Sequence, residues 1–157
     1  MSTLYVSEPA SNGGLGEQPA LNYVETIETV ISSLDQFNSA LVSQADSEHL
    51  WTFKYGSVDV FVQLTGFNSE DTLTIWAPVL TLPVQNEAAL LRKLMEMNWL
   101  TTLEARFSIF NQQIVVVASR TLEGLTTSEI SRGITIVATL ADEYDDSLRV
   151  EFSPAVQ

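Results

Sequence analysis

The residue types that carry most enzyme chemistry are scarce in this chain. It has one histidine, His49, and no cysteine, so thiol catalysis, disulfides and thiolate metal sites are excluded. Catalysis by a lone histidine needs a nucleophile or a carboxylate placed beside it. The neighbours Ser47 and Glu48 are too near along the chain to complete a triad. We therefore interpret His49 as a histidine at the surface or at a strand end, and predict that the chain is not an enzyme.

The carboxylates are numerous, but their spacing fits no known site. The run from Asp142 to Asp146 lacks the alternating ligands, the central glycine and the final glutamate of an EF-hand loop. On a helix, Asp145 would reach Arg149 four residues later, so we interpret the run as a solvated helix face. The pair Glu70-Asp71 is interpreted as a solvated turn. The sequence therefore predicts no metal and no cofactor.

The charge of the chain limits its possible partners. A net charge of −13, from 20 acidic and 7 basic residues, is unfavourable for binding polyanions. We therefore expect neither a nucleic acid nor a membrane as a partner, and no apolar stretch reaches the length of about 18 residues that would span one. Residues 1–18 lack the basic and apolar regions of a secretory signal. The cytoplasm is the expected location.

The first 20 residues differ in composition from the rest. They are rich in glycine, proline, serine and asparagine, which predicts a flexible N-terminal arm. The cluster Gly13–Gly16 lacks the preceding strand and the following Lys-Ser/Thr of a phosphate loop. Residues 21–152 are expected to form a single domain, and residues 153–157 a frayed C-terminus.

The first part of this domain changes from a helical period to a strand period. The helical period begins at Asn22 and predicts a helix of about 20 residues. Its apolar positions are Val24, Ile27, Ile31, Leu34, Phe37 and Leu41. A period of two then surrounds Gly56-Ser57 and predicts a hairpin with a type II′ turn. Its register makes three apolar pairs on one face, which are Tyr55–Val58, Phe53–Val60 and Trp51–Val62. Lys54 faces Asp59 on the other.

The second part contains one more strand, a second helix, a second hairpin and a last helix. In the strand over residues 72–79, Pro78 indicates a strand end or a sheet edge. The second helix begins near Asn86. Its apolar residues cover more than one face, and they are Ala88, Leu90, Leu91, Leu94, Met95 and Met97. Residues 104–110 and 113–119 form the second hairpin, and Thr126 with Glu129 makes a capping box for the last helix. The expected fold is α+β, with the order α-β-β-β-α-β-β-α and an antiparallel sheet of about five strands packed with three helices.

This order of elements resembles the YbjN family, which shares its fold with the type III secretion chaperones. The resemblance covers roughly residues 22–150 and is carried by the segments Leu90–Asn98, Glu104–Ile109 and Leu125–Ile130. It implies a secretion chaperone-like fold and a cytoplasmic bacterial protein, often a dimer, that binds other proteins. The family has no well-defined catalytic residues, so the resemblance assigns none here.

Strand alternation places large apolar side chains on the sheet face opposite the predicted core. They are Phe61, Trp76, Phe110, Val115 and Val117, and Arg106 lies beside them. The outer face of a two-layer α+β domain is normally solvated, and an apolar patch there is typical of an interface. Two alternatives stay open: the first or last helix covers part of the patch, or the alternation shifts at Pro78.

The sequence thus predicts a protein-binding or chaperone-like module that is a homodimer and uses no cofactor. The candidate contacts on the outer sheet face are Phe61, Trp76, Val115 and Val117. Those on the second helix are Leu90, Leu91, Leu94, Met95 and Met97. The alternative function is a small-ligand sensor or regulatory domain, with a pocket between the sheet and the helices.

Overall fold

The computed structural model describes residues 21–155, so the predicted N-terminal arm and the last two residues lie outside it. The helices are α1 (Tyr23–Leu34), α2 (Glu87–Met97) and α3 (Thr127–Glu151). The strands are β1 (Leu41–Ala45), β2 (Glu48–Tyr55), β3 (Val58–Leu64), β4 (Thr72–Thr81), β5 (Arg106–Phe110) and β6 (Gln113–Thr121). They form one antiparallel sheet in the order β1-β2-β3-β4-β6-β5. The predicted α+β fold is confirmed, with six strands in place of about five.

The additional strand is β1, which lies where the sequence predicted the end of the first helix. That prediction of a 20-residue helix is wrong, because α1 ends at Leu34. The carboxylate of Asp35 then accepts hydrogen bonds from the backbone N–H groups of Phe37, Ser39 and Ala40, at 3.2, 2.8 and 2.9 Å. These bonds hold the chain in a turn, as an aspartate side chain does when it competes with helical bonding. Strand β1 follows and pairs with β2.

The hairpin of β2 and β3 has the predicted register. Trp51 lies opposite Val62, Phe53 opposite Val60 and Tyr55 opposite Val58. All of these side chains except the partly exposed Tyr55 are buried on one face, which is the inner face of the sheet. On the other face, Lys54 Nζ lies 2.9 Å from Asp59 Oδ1. Gly56 adopts a φ of +55° in the turn, a conformation that glycine reaches at little cost.

Helix α3 covers the inner face of the sheet. It begins with the predicted capping box, in which Thr126 and Glu129 exchange side-chain and backbone hydrogen bonds. Its buried apolar stripe includes Ile130, Ile134 and Val137, which join the hydrophobic core. Helix α1 packs beside α3, and the Trp51 indole donates a 3.1 Å hydrogen bond to Glu28 of α1. Both helices therefore lie on the inner side of the sheet.

Strand β4 lies in the middle of the sheet, although Pro78 indicated a strand end or an edge. Pro78 does not end the strand, because β4 continues to Thr81. The expectation of a sheet edge holds locally, since beyond Trp76 strand β4 pairs only with β6. The proline is accommodated because pairing with β3 stops at Trp76. The register with β6 also shifts between Pro78 and Leu80, which places a bulge where the proline lacks an N–H donor.

The predicted second hairpin is present, and Phe107 pairs with Val116 and Ile109 with Ile114. Asn111 and Gln112 form its turn with φ values of 51° and 59°. Two central residues with positive φ are the mark of a type I′ turn, which suits a two-residue hairpin loop. Strand β5 begins at Arg106, two residues later than predicted, and it forms one edge of the sheet.

Candidate protein-contact surfaces

A row of side chains crosses all six strands on the outer face of the sheet. Successive members lie directly opposite one another in neighbouring strands, and the row reads Leu41–Thr52–Phe61–Trp76–Val117–Arg106. With strands about 4.8 Å apart, the row is about 24 Å long. The alternation that predicted Phe61, Trp76 and Val117 to face outward therefore holds across the whole sheet, since the register shift near Pro78 lies beyond Trp76. We call this set the outer row.

Three aromatic side chains form the centre of the outer face. The rings of Phe61 and Trp76 stack with a centroid distance of 5.2 Å and an interplanar angle of 11°. Phe110 meets Trp76 edge to face at 5.9 Å. Phe61 and Trp76 are partly exposed and Phe110 is 50% exposed, whereas Val115 is only 2% exposed. Val115 is therefore too buried to contact a partner. The candidate contacts that remain on this face are Phe61, Trp76 and Val117, and Phe110 joins them.

Helices do not cover this face in the described part of the chain. One groove of about 260 Å³ is lined by strand residues, among them Trp76, Phe110 and Val117. A second groove of about 450 Å³ lies at the hairpin end of the face, where Arg149 is the one lining residue that belongs to a helix. The expectation that α1 or α3 shields the patch is therefore wrong for residues 21–155.

The outer row ends at Arg106, which has no ionic partner among residues 21–155. Six of the seven basic residues form ion pairs with carboxylates, and only Arg106 forms none with any described residue. Its side chain is exposed at the β5 edge, directly opposite Val117. The outer face thus combines an apolar centre with the positive charge of Arg106, which no carboxylate in the described part of the chain neutralises.

Helix α2 contributes fewer surface residues than the sequence predicted. Leu90 and Leu94 are 0% and 4% exposed and belong to the hydrophobic core, so they are not surface contacts. Leu91 and Met97 are partly buried against that core, and Met95 is 70% exposed. A helical period shows which residues share a face, but it does not show how much of a wide apolar face the neighbouring elements cover.

Five exposed apolar residues lie at the end of α2 and on the neighbouring strand β5, and we call them the α2 patch. Its members are Met95, Trp99, Leu100, Leu103 and Ile109, which are 52–81% exposed. Asn98 positions the chain there, because its side-chain amide accepts from Phe107 N at 2.8 Å and donates to Phe107 O at 3.3 Å. Trp99 lies outside the core. Leu100 and Leu103 were missed, although the apolar run continues past the helix end at Asn98.

His49 lies at the start of β2, as the strand-end interpretation expected, but it is buried and not at the surface. It is 6% exposed and its ring stacks on Trp51 with a centroid distance of 5.2 Å. Phe67 packs edge-on against it at 5.7 Å, and Nδ1 lies 3.3 Å from the carbonyl oxygen of Ser47. Its ring contacts are aromatic, so the structure gives it the role of a packing residue at the start of β2.

The acidic run on α3 has a structural role and is not uniformly solvated. Asp145 is fully buried, with Oδ2 accepting from Ser57 Oγ at 2.7 Å and lying 3.3 Å from Arg149 Nη2. The predicted pairing of Asp145 with Arg149 is confirmed, but the prediction that it lies on a solvated face is wrong. Asp142 Oδ1 accepts from Ser57 N at 2.9 Å. In residues 21–155, no three histidines or carboxylates come close enough to hold a metal ion.

The pocket between α3 and the sheet is small. Its volume is about 130 Å³, and two ion pairs, Arg120–Glu129 and Arg132–Glu104, lie at its rim. The hydrogen bond from Arg132 holds the pKa of Glu104 below its usual value. The hydrogen bonds from Arg120 and from the Thr126 backbone do the same to the pKa of Glu129. Pockets for small ligands commonly measure about 300–1,000 Å³, so this one is small for such a ligand.

Together these features define a protein with an α+β fold, one sheet face covered by helices and the other open and apolar. The sequence profile of the YbjN family, described as "Putative bacterial sensory transduction regulator", matches residues 23–149, and the chain belongs to this family. A comparison with curated proteins found no match. None of the helices in the described residues is long and apolar enough to cross a membrane.

A solved structure with a similar fold comes from the "Crystal Structure of the ExsC-ExsE Complex". The TM-score is 0.56 at 16% sequence identity, over 78% of this chain and 90% of that chain. At this identity the similarity concerns the fold alone. The predicted membership of the YbjN family and the type III secretion chaperone-like fold are both confirmed.

Proposed function

We propose that this protein is a cytoplasmic, chaperone-like module that binds a segment of another protein on its outer sheet face and carries out no catalysis. The observation that carries the proposal is the stacked pair Phe61 and Trp76 at the centre of the outer row, which no helix of the described residues covers. The ExsC-ExsE structure, a complex of two proteins, supports a binding role by analogy of fold.

The side chains of the outer row are suited to recognition because their positions are already fixed. Stacking between Phe61 and Trp76 and the contact of Phe110 with Trp76 hold the rings before a partner arrives. A partner that covers them gains apolar burial of about 25 cal/mol per Å² and loses little side-chain entropy from this surface. Clusters of aromatic residues with a nearby arginine are the usual centres of binding energy in interfaces. The face therefore supports binding of an apolar segment.

The inner pocket gives less support to the alternative of a small-ligand sensor. Its volume of about 130 Å³ accommodates little more than a few water molecules or a short side chain. Glu104 and Glu129 at its rim are already paired with arginines, so they offer no open charge to a ligand. Protein binding on the outer face remains the proposal that the geometry favours.

We also propose that two copies of the chain associate through the α2 patch. A monomer seldom exposes an indole and several aliphatic side chains within a few residues of one another, and Trp99 and Leu100 are 81% and 78% exposed. The α2 patch and the outer row share no residue, and Ile109 is the patch member that also lines the groove beside Trp76. A homodimer formed through Trp99 and Leu100 would therefore leave the outer row accessible to a partner protein.

The binding proposal is tested by capture of proteins from native cells with tagged protein. Trp76→Glu places a carboxylate in the stacked pair and is expected to abolish capture of the specific partners. The matched control is Val150→Glu, which adds the same charge at an apolar residue of α3 that is 82% exposed. The control is expected to capture the same proteins as the unchanged chain. Equal capture by Trp76→Glu and the unchanged chain would show that the outer face is not the binding surface.

A further inference from the structure

The sheet carries very little of the acidic charge of this protein. The sequence has 20 acidic residues, but in the described part of the chain only Glu48 and Asp59 lie in strands. Lys54 binds Asp59 at 2.9 Å, and Glu48 accepts a hydrogen bond from Gln63 at 2.6 Å. Both carboxylates belong to β2 and β3, so strands β4, β6 and β5 contain none. We call the outer side of these three strands the β5 half of the outer face.

The β5 half carries a positive charge. Two basic residues lie in its strands, Arg106 and Arg120. Arg120 lies on the helix side of the sheet, where it binds Glu129 of α3 at 2.7 Å. Arg106 is exposed on the outer side, directly opposite Val117. Among the strand residues of the β5 half, Arg106 therefore provides the one charge that faces outward.

A segment that binds the β5 half meets an apolar groove beside this charge. The groove of about 260 Å³ is lined by Trp76, Phe110 and Val117 among others, and Arg106 lies next to Val117 in the outer row. We propose that the outer face binds an acidic segment, which places an apolar side chain against Trp76 and a carboxylate on Arg106. This inference rests on the proposed function, because it names the chemistry of the segment that the outer face binds.

The distance between the two contacts determines the spacing within the segment. Trp76 and Arg106 are two strands apart in the outer row, which is about 10 Å at 4.8 Å per strand. An extended chain covers this distance in about three residues at 3.3 Å per residue. We therefore expect the carboxylate to lie about two to four residues from the apolar residue. A guanidinium group can bind a carboxylate through two parallel hydrogen bonds, which favours this anion over a neutral group.

The net charge of −13 does not prevent such binding, because exposed charges act on one another over a limited distance. At physiological ionic strength, charges more than about 8 Å apart are largely screened. Asp59 is three strands from Arg106, at least about 14 Å, and it is paired with Lys54. Glu104, two residues before Arg106 in the chain, is bound by Arg132. A carboxylate on Arg106 is therefore attracted by this arginine, while the distant acidic residues act weakly.

Peptide selection with the purified full-length protein tests the inference. A random peptide library is panned against the unchanged chain, and the Kd of each selected peptide is measured by calorimetry. We expect these peptides to carry Asp or Glu about two to four residues from an aromatic or aliphatic residue. In Arg106→Glu the Kd is expected to rise about three- to tenfold, because attraction between exposed groups becomes repulsion. Replacing the acidic residue of the peptide by lysine is expected to restore binding to this variant.

Arg92→Glu is the matched control, because it reverses an exposed charge on α2, away from the sheet face. It is expected to bind the same peptides with an unchanged Kd. Selected peptides that are rich in lysine or arginine, or equal binding by Arg106→Glu and the unchanged chain, would overturn the inference.

Trp76→Glu separates a failure of this inference from a failure of the proposed function. Peptides that lose binding in Trp76→Glu but not in Arg106→Glu would contradict the acidic segment and leave the binding surface standing. A selection that yields no peptide sensitive to Trp76→Glu would contradict the binding surface, and the inference with it. Urea denaturation checks that each variant remains folded.

Discussion

At the scale of single residues, the sequence predicted side-chain pairs within a helix or a hairpin well, and it predicted burial poorly. The contacts of Lys54 with Asp59 and of Asp145 with Arg149 follow from strand register and helix period, and both are confirmed. The burial of Asp145 could not be predicted, because it depends on the turn at Ser57, 88 residues away along the chain. His49 shows the same limit, since its burial requires Trp51 on one side and Phe67 on the other.

The ion pair of Glu104 with Arg132 predicts a dependence of stability on pH. The hydrogen bond from Arg132 lowers the pKa of Glu104 in the folded state below its unfolded value. The contribution to stability is therefore present above the unfolded pKa and is lost as the pH falls through the folded pKa. We expect the loss of unfolding free energy between about pH 6 and pH 3 to be smaller in Glu104→Gln than in the unchanged chain.

This prediction is checked by urea denaturation at several pH values. The control is Glu143→Gln, which changes an exposed carboxyl on the same helix as Arg132. It is expected to keep the pH profile of the unchanged chain. If Glu104→Gln also keeps that profile, the ion pair does not contribute to acid sensitivity.

At the scale of elements, the turn and capping residues predicted where helices and strands begin and end better than the spacing of apolar residues did. The turn at Gly56 and the cap at Thr126 gave the first hairpin and the start of α3. The period of α1 continued by coincidence through Phe37 and Leu41, which are 58% and 73% exposed. The hydrogen bonds of Asp35 end that helix, and a carboxylate that can also lie on a helix surface gives little warning of this.

One added methyl group at Gly56, in the β2–β3 turn, is expected to destabilise the fold. An added Cβ at Gly56 would lie 2.1 Å from Asp142 Oδ1, the oxygen that accepts from Ser57 N. Gly56→Ala is therefore expected to lower the free energy of unfolding by about 1 kcal/mol, because alanine is strained at a positive φ. The displaced hydrogen bond is expected to lower it by about 1–2 kcal/mol more. Chemical denaturation measures the change in unfolding free energy.

Gly124→Ala provides the matched control for this substitution. Gly124 also has a positive φ, +71°, but nothing lies within 4 Å of its added Cβ. Gly124→Ala is therefore expected to lower the free energy of unfolding only by the backbone cost of about 1 kcal/mol. Equal losses at the two glycines would show that the contact with Asp142 does not stabilise the turn.

At the scale of the whole molecule, the fold and the outward direction of the apolar residues could be predicted from the sequence. The exposure of each of these side chains could not. Alternation placed Phe61 and Trp76 on the outer face. Alternation could not show that Val115 is buried although it faces outward, and the helical period could not show that Leu90 and Leu94 are core residues. The exposed Trp99, Leu100 and Leu103 follow the end of α2 in turns, where no periodic pattern assigns them a face.

The α2 patch predicts the oligomeric state. If it joins two copies, the double variant Trp99→Ser/Leu100→Ser is expected to sediment as a monomer at concentrations where the unchanged chain is a dimer. Both residues are largely exposed, so the fold should persist, and circular dichroism checks this. The variant Phe110→Ser, on the outer face, is expected to remain dimeric. A dimer that persists in the double variant would place the contact between copies elsewhere.

The most direct test of the proposed binding surface is site-specific photocrosslinking in native cells. A photoreactive amino acid is placed at Phe110, which is 50% exposed on the outer face, or at Val150, which is 82% exposed on α3. We expect Phe110 to give a discrete crosslinked product that contains another protein, identified by mass spectrometry, and Val150 to give none. Crosslinks to other proteins from Val150 alone, or none from Phe110 beyond this chain itself, would contradict the account.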